Sequence, residues 1–122
     1  MTEYLEPRDV LGLIRQLGFH LRDRNLLLSA LASPLPVFGQ EMYPGDVSKA
    51  AALLIAVNRN HPLADGNKRL AWIVAKTFLA LNGLHLASGP VAEGDTFIRK
   101  VADGGIEHDE VVEWIEARIS LL

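Results

Sequence analysis

The sequence has no cysteine in 122 residues, which removes a disulfide framework and a thiolate zinc site from consideration and agrees with a reducing cytosol. It also lacks a surplus of positive charge. Lysine and arginine number 12 against 15 aspartates and glutamates, a formal charge of -3, so no broad electrostatic attraction to nucleic acid or an anionic membrane is expected. Any cationic site must be local. No apolar run approaches the ~20 residues of a membrane span, and the opening Met-Thr-Glu-Tyr-Leu-Glu has neither the basic nor the apolar part of a signal peptide. The expectation is a cytoplasmic protein with no direct nucleic-acid or membrane partner.

What is present suits one globular domain spanning residues 1–122, able to bury roughly two-thirds of its unfolded surface. Pro7 stands where a first helical residue belongs, and Val10, Ile14 and Leu17 repeat at helical spacing until Gly18. Asp23 is a good N-cap for a second helix carrying Leu26, Leu27, Ala30 and Leu31, closed by Pro34 and Pro36. The stretch Ser33 to Gly45 reads as an irregular loop or short hairpin that exposes Phe38 and Tyr43. Asp46 is expected to cap a third helix, apolar nearly all round from Ala50 to Val57 and ending at Asn58-Arg59-Asn60. A fourth begins at Gly66-Asn67 and runs to Asn82-Gly83. After a loop from Leu84 to Gly94, a fifth helix opens at Gly94 or Asp95 and stops at Gly104-Gly105; a sixth runs from Glu107 to about Leu121 with Glu110 supporting its start. The expected fold is all-α, with about six helices and no long strand.

Between the third and fourth helices lies His61-Pro62-Leu63-Ala64-Asp65-Gly66-Asn67-Lys68-Arg69. A Gly-Asn-Lys-Arg run that opens a helix directs free backbone N–H groups and two cations at one spot, an arrangement suited to phosphate. Asp65 adds a possible metal ligand and His61 a possible general base. Bland readings stand beside these. His61 before proline could cap the preceding helix, Asp65 could be only an N-cap, and Lys68 and Arg69 could be solvated first-turn residues. Two cations at a helix N-terminus nevertheless oppose the macrodipole, which argues for an anionic ligand.

The motif resembles the signature of the Fic/Doc family, closest to the Doc (death-on-curing) branch. Arg22-Asp23, Leu26-Leu27, Ser29 to Ala32, Tyr43-Pro44 and Lys49 to Leu53 are similar to Doc-type toxins at comparable offsets. The resemblance implies a compact bundle with the motif loop between two central helices. It implies that His61 acts on a target hydroxyl as base, that Asp65 holds Mg²⁺ bridging the phosphates of ATP, and that the amides around Gly66 and Asn67 form an anion hole, with hydrogen bonds from the Asn67 side chain. Lys68 and Arg69 would neutralise phosphate charge, and Phe38 to Tyr43 would form a flap that docks an extended target segment, where the residues alone allow a passive loop. Such chemistry depends more on positioning and charge neutralisation than on covalent help.

Two departures from AMP-transferring Fic proteins matter: Lys68 stands where they have a second glycine, and Trp72 where they have a second arginine. By resemblance, the lysine accompanies transfer of the γ-phosphoryl group, so the expectation is a toxin kinase acting on elongation factor Tu. AMP transfer, or a catalytically inactive partner-binding module, are the rival readings. Leu63 replaces a usual phenylalanine and keeps an apolar anchor beneath the loop. Self-inhibiting relatives carry a hydroxyl four residues before Glu-Gly; here Glu93-Gly94 has Gly89 at that position, so an antitoxin binding an exposed groove is the expected inhibitor. His20, His85 and His108 read as structural or surface residues, Trp72 and Trp114 as core, and Glu107, Asp109, Glu110, Glu113 and Glu116 as a solvated face.

Overall fold

The computed structural model describes residues 1–87 and 91–122, with the backbone alone for 91–93; Gly89 and the Glu93 side chain, on which the comparison with self-inhibiting relatives turns, lie outside the described residues. Six helices follow in order: α1 (Pro7–Gln16), α2 (Arg24–Ala32), α3 (Asp46–Asn60), α4 (Asn67–Leu81), α5 (Val91–Ala102) and α6 (His108–Glu116). Two three-residue strands, β1 (Leu84–Leu86) and β2 (Ile119–Leu121), form a small antiparallel ladder pairing Leu84 with Leu121 and Leu86 with Ile119. The architecture is the expected all-α one.

Helix α3 is the axis of the molecule, packing on α2, α4, α5 and α6. Its run Ala50-Ala51-Ala52 lets neighbouring backbones approach, while Leu53, Leu54 and Val57 fill the space between them. From α4 the i, i+3/i+4 stripe Leu70, Ala71, Val74, Ala75 and Phe78 is almost wholly buried against it. One contiguous core results, joined by Val10 and Ile14 of α1 and by Val111 and Ile115 of α6.

Local signals set several ends. The Asp23 carboxylate accepts from Leu26 N at 3.1 Å and caps α2 as expected. Gly18, at φ 78°, ends α1: Gly18 N donates to Arg15 O and Phe19 N to Ile14 O, the paired bonds of a glycine-terminated helix. Glu110 accepts from Glu107 N at 3.4 Å at the start of α6.

Elsewhere, expected boundaries moved. Asp46 is not a cap but the first residue of α3, its N-cap being Gly45 at φ 88°; the Asp46 carboxylate instead accepts from the Thr2 hydroxyl at 3.0 Å. The expected loop from Leu84 to Gly94 contains β1 and the first turn of α5, which opens at Val91 rather than at Gly94 or Asp95. The sixth helix stops at Glu116, not near Leu121. Ile119 sits at helical spacing from Ile115, but a distant strand partner overrides that local period.

The segment before α3 is a hairpin. Val37 and Gln40 exchange both backbone hydrogen bonds (2.9 and 3.0 Å) around Phe38 and Gly39, whose φ values of 50° and 76° suit a primed two-residue turn. Phe38 is fully exposed at the tip. Tyr43 is not exposed as expected: it is half-buried, its ring 4.8 Å from that of His108. Lys49, 2% exposed, anchors this segment, its ammonium bonded to Tyr43 O (2.7 Å) and Glu41 (2.9 Å).

His108 links three elements, since its Nε2 also meets Ser48 Oγ of α3 at 3.0 Å. Burial lowers its pKa below the ordinary 6.5, against an opposing pull from Asp109. The unfolded chain therefore takes up a proton below that value that the folded chain resists, and stability falls with acidification through it. The expected outcome is a Tm loss from about pH 7.5 to about pH 5.5 that is smaller in His108→Gln than in the wild type, measured by thermal melts.

Candidate active site

The loop between α3 and α4 is built by ending one helix, turning, and starting the next. His61 ends α3 in the left-handed conformation (φ 49°, ψ 58°), its N–H on Val57 O at 3.2 Å. A non-glycine residue there costs about 1 kcal/mol or more, so its surroundings must hold it. They do so from the link between α1 and α2. Arg22 Nε donates to His61 O at 3.1 Å, Arg22 N to Pro62 O at 2.8 Å, Asp23 N to Pro62 O at 3.1 Å, and Ala64 N to His20 O at 2.9 Å. Pro62 and Leu63 are buried beneath this seam, Leu63 to 1% exposure, and it serves as the apolar anchor expected.

Asn67 closes the loop from the other side. Its side-chain oxygen accepts from Leu63 N (2.8 Å) and its amide donates to Leu63 O (3.0 Å), so both ends of the group that was expected to reach an anion are engaged within the loop. Gly66 is the N-cap of α4 at φ 91°, and its N–H donates to the Asp65 carboxylate at 2.9 Å. Asp65 is thus not the N-cap. The amides of Asn67, Lys68 and Arg69 follow in the first turn, where a helix leaves its N–H groups without internal partners.

A cavity of about 690 Å³ opens at this point. Asp65, Gly66, Lys68 and Arg69 form one side of it, all but Gly66 solvent-exposed. Phe19, Trp72 and Ile98 supply apolar surface, and Asp95 of α5 also lines the wall. Thus five motif residues, Ala64 among them, come together. His61, exposed at the end of α3, and Asn67 do not line the cavity, nor do Phe38 and Tyr43. Trp72 is half-buried and packs edge-on against Trp114 at 5.7 Å, while Trp114 stacks on Phe97 at 4.1 Å with the Arg118 guanidinium 4.0 Å over its ring.

Phe19, His20 and Asp95 line the cavity without having been expected there. Nothing local marks them: Phe19 reaches the site because the glycine ending α1 turns it toward Gly66, where an added Cβ would lie 2.7 Å from the ring. No group of three His, Asp or Glu side chains is gathered for a metal among the described residues. Asp65, with one oxygen on the Gly66 N–H, fits a cation such as Mg²⁺ that keeps most of its ligands as water and phosphate oxygens.

A cationic helix start beside Asp65 on a cavity of this volume, with His61 at the end of the preceding helix, matches a known pattern. The Fic/DOC family model matches residues 4–79, from the N-terminal segment through α4. The chain belongs to the Fic/Doc family. Toxin Doc of Mycolicibacterium smegmatis is 44% identical over 116 residues, covering 91% of this chain and 89% of that protein, so the likeness continues past the family model into α5 and α6.

Gly66 is the position where backbone and cavity wall meet most tightly. Gly66→Ala is expected to destabilise the protein by at least about 1 kcal/mol through the left-handed backbone alone, with the Phe19 collision added. In denaturant unfolding, Phe19→Ala combined with Gly66→Ala should lose less than the sum of the two single losses, because the collision is gone.

Proposed function

We propose that this Fic/Doc protein is a toxin-type kinase that transfers the γ-phosphoryl group of ATP to a hydroxyl of a protein target in the cytoplasm. The observation that carries the reading is Lys68 in the first turn of α4. It lines the cavity together with Arg69, beside helix N–H groups that already favour an anion. A lysine there adds a charge that matches a terminal phosphate.

In this reading the main-chain amides of Asn67 to Arg69 hold phosphate oxygens, and Lys68 and Arg69 neutralise the charge that accumulates on them. Mg²⁺, when bound, would supply further charge neutralisation with Asp65 as its protein ligand. The target oxygen forms a bond to the γ-phosphorus, the bond from that phosphorus to its bridging oxygen breaks, and ADP leaves. The hydroxyl proton passes to His61, whose exposure lets a protein substrate reach it. The exposed Phe38, held at the tip of a tight hairpin, supports the flap as the docking point for the target chain.

The name of the M. smegmatis relative supports a toxin role, and with it a separate antitoxin protein as the inhibitor, bound over an exposed groove. The family resemblance supports elongation factor Tu as the target and arrest of protein synthesis as the outcome. Incubation with elongation factor Tu and ATP labelled at either the α or the γ position tests the reading. Label from γ supports it; label from α reassigns the protein to AMP transfer, and none from either leaves a binding module. His61→Ala should lower kcat by roughly 10²–10⁴-fold, whereas Phe38→Ala should raise KM for the protein target and leave the melting curve unchanged.

A further inference from the structure

We infer that Arg22 is a positioning residue for His61, fixing where the imidazole stands by gripping the main chain that carries it. This rests on the reading of His61 as proton acceptor. The guanidinium donates to His61 O through both Nε and an Nη, and the same Nη lies 3.4 Å from Asn60 O. The Arg22 main chain holds the next carbonyl, that of Pro62. Three successive carbonyls at the end of α3 therefore point at one residue. Among the described residues, its guanidinium pairs with no carboxylate, although it is exposed.

A cation at a helix C-terminus is common and needs no function. Two observations take this one further. His61 occupies the left-handed region without being glycine, so the direction of its Cβ depends on the carbonyl being held; once released, φ and ψ relax and the side chain swings away. Arg22 is itself fixed, because Asp23 next to it caps α2 and the Asn60 side chain bonds Leu26 O at 3.0 Å, tying the end of α3 to the start of α2. The planar fork of arginine satisfies two directions at one oxygen and its neighbour, which a lysine ammonium cannot reproduce. Arg22 does not line the cavity, so its effect on transfer runs through His61 and not through phosphate.

The test uses Arg22→Ala and Arg22→Lys in the full chain, with the histidine ring signals followed by NMR. In Arg22→Ala the His61 signal is expected to shift or broaden while those of His85 and His108 stay, showing an intact fold; Arg22→Lys falls between and carries the test should Arg22→Ala fail to fold. In γ-phosphoryl transfer to elongation factor Tu, kcat should fall on the order of 100-fold, with KM for ATP near the wild-type value and partial rescue by added ethylguanidinium. In a His61→Ala background, Arg22→Ala should cost nothing more. An unchanged His61 signal, or a further loss in the His61→Ala background, overturns the inference. If the wild type transfers no phosphate, the kinase reading falls while the ring signals still decide the role of Arg22.

Discussion

The structure depends on one seam of main-chain hydrogen bonds, between the link joining α1 to α2 and the loop joining α3 to α4. The loop's carbonyls and N–H groups leave two buried helices and have no helical partners of their own, so something else must satisfy them. The backbone of His20 to Asp23 does so, and the Arg22 side chain completes it. Each bond contributes only about 1 kcal/mol net, but leaving such a group unpaired under Pro62 and Leu63 would cost more. Through this seam the apolar core and the polar loop become a single rigid unit: the end of α1 sets Phe19 on Gly66, and the cap of α2 sets Arg22 under His61.

That arrangement separates what is rigid from what is charged. The main chain of residues 61–67 is fixed by buried leucine and proline, by the Asn67 side chain and by the seam, while His61, Asp65, Lys68 and Arg69 stand in solvent. Charges in water interact weakly until a ligand displaces the water. Lys68 and Arg69 at the start of α4 thus cost the empty protein a few tenths of a kcal/mol against the helix dipole, and they oppose nothing once an anion is bound. In the proposed reading the binding groups are backbone amides, which tolerate exposure well because amides held in a helix do not reorganise.

What could be read from the residues alone follows the range of the forces involved. Helix existence rested on local period and on caps such as Asp23 and Gly18, and these hold. The motif was legible because its chemistry is contiguous in the chain. What escaped is set by distant partners. Ile119 to Leu121 leaves the helical pattern for a strand because Leu84 to Leu86 offers a ladder. Lys49 reaches back to Glu41 and Tyr43 O, contacts that no local pattern marks; Tyr43 is drawn off the surface by His108. The Asn67 amide, expected to face a ligand, holds the loop instead. Arg22 and Phe19 meet the motif loop only because the fold brings the α1–α2 link against it.

The proposed function needs the first turn of α4 to be an anion cradle made of main-chain amides with two flanking cations. Titrating ¹⁵N-labelled protein with the magnesium complex of a non-hydrolysable ATP analogue tests this most directly. The largest amide shifts are expected on Asn67, Lys68 and Arg69, with the Asp65–Gly66 pair moving as the carboxylate is recruited. Shifts confined to other parts of the molecule, or none at saturating nucleotide, would contradict it.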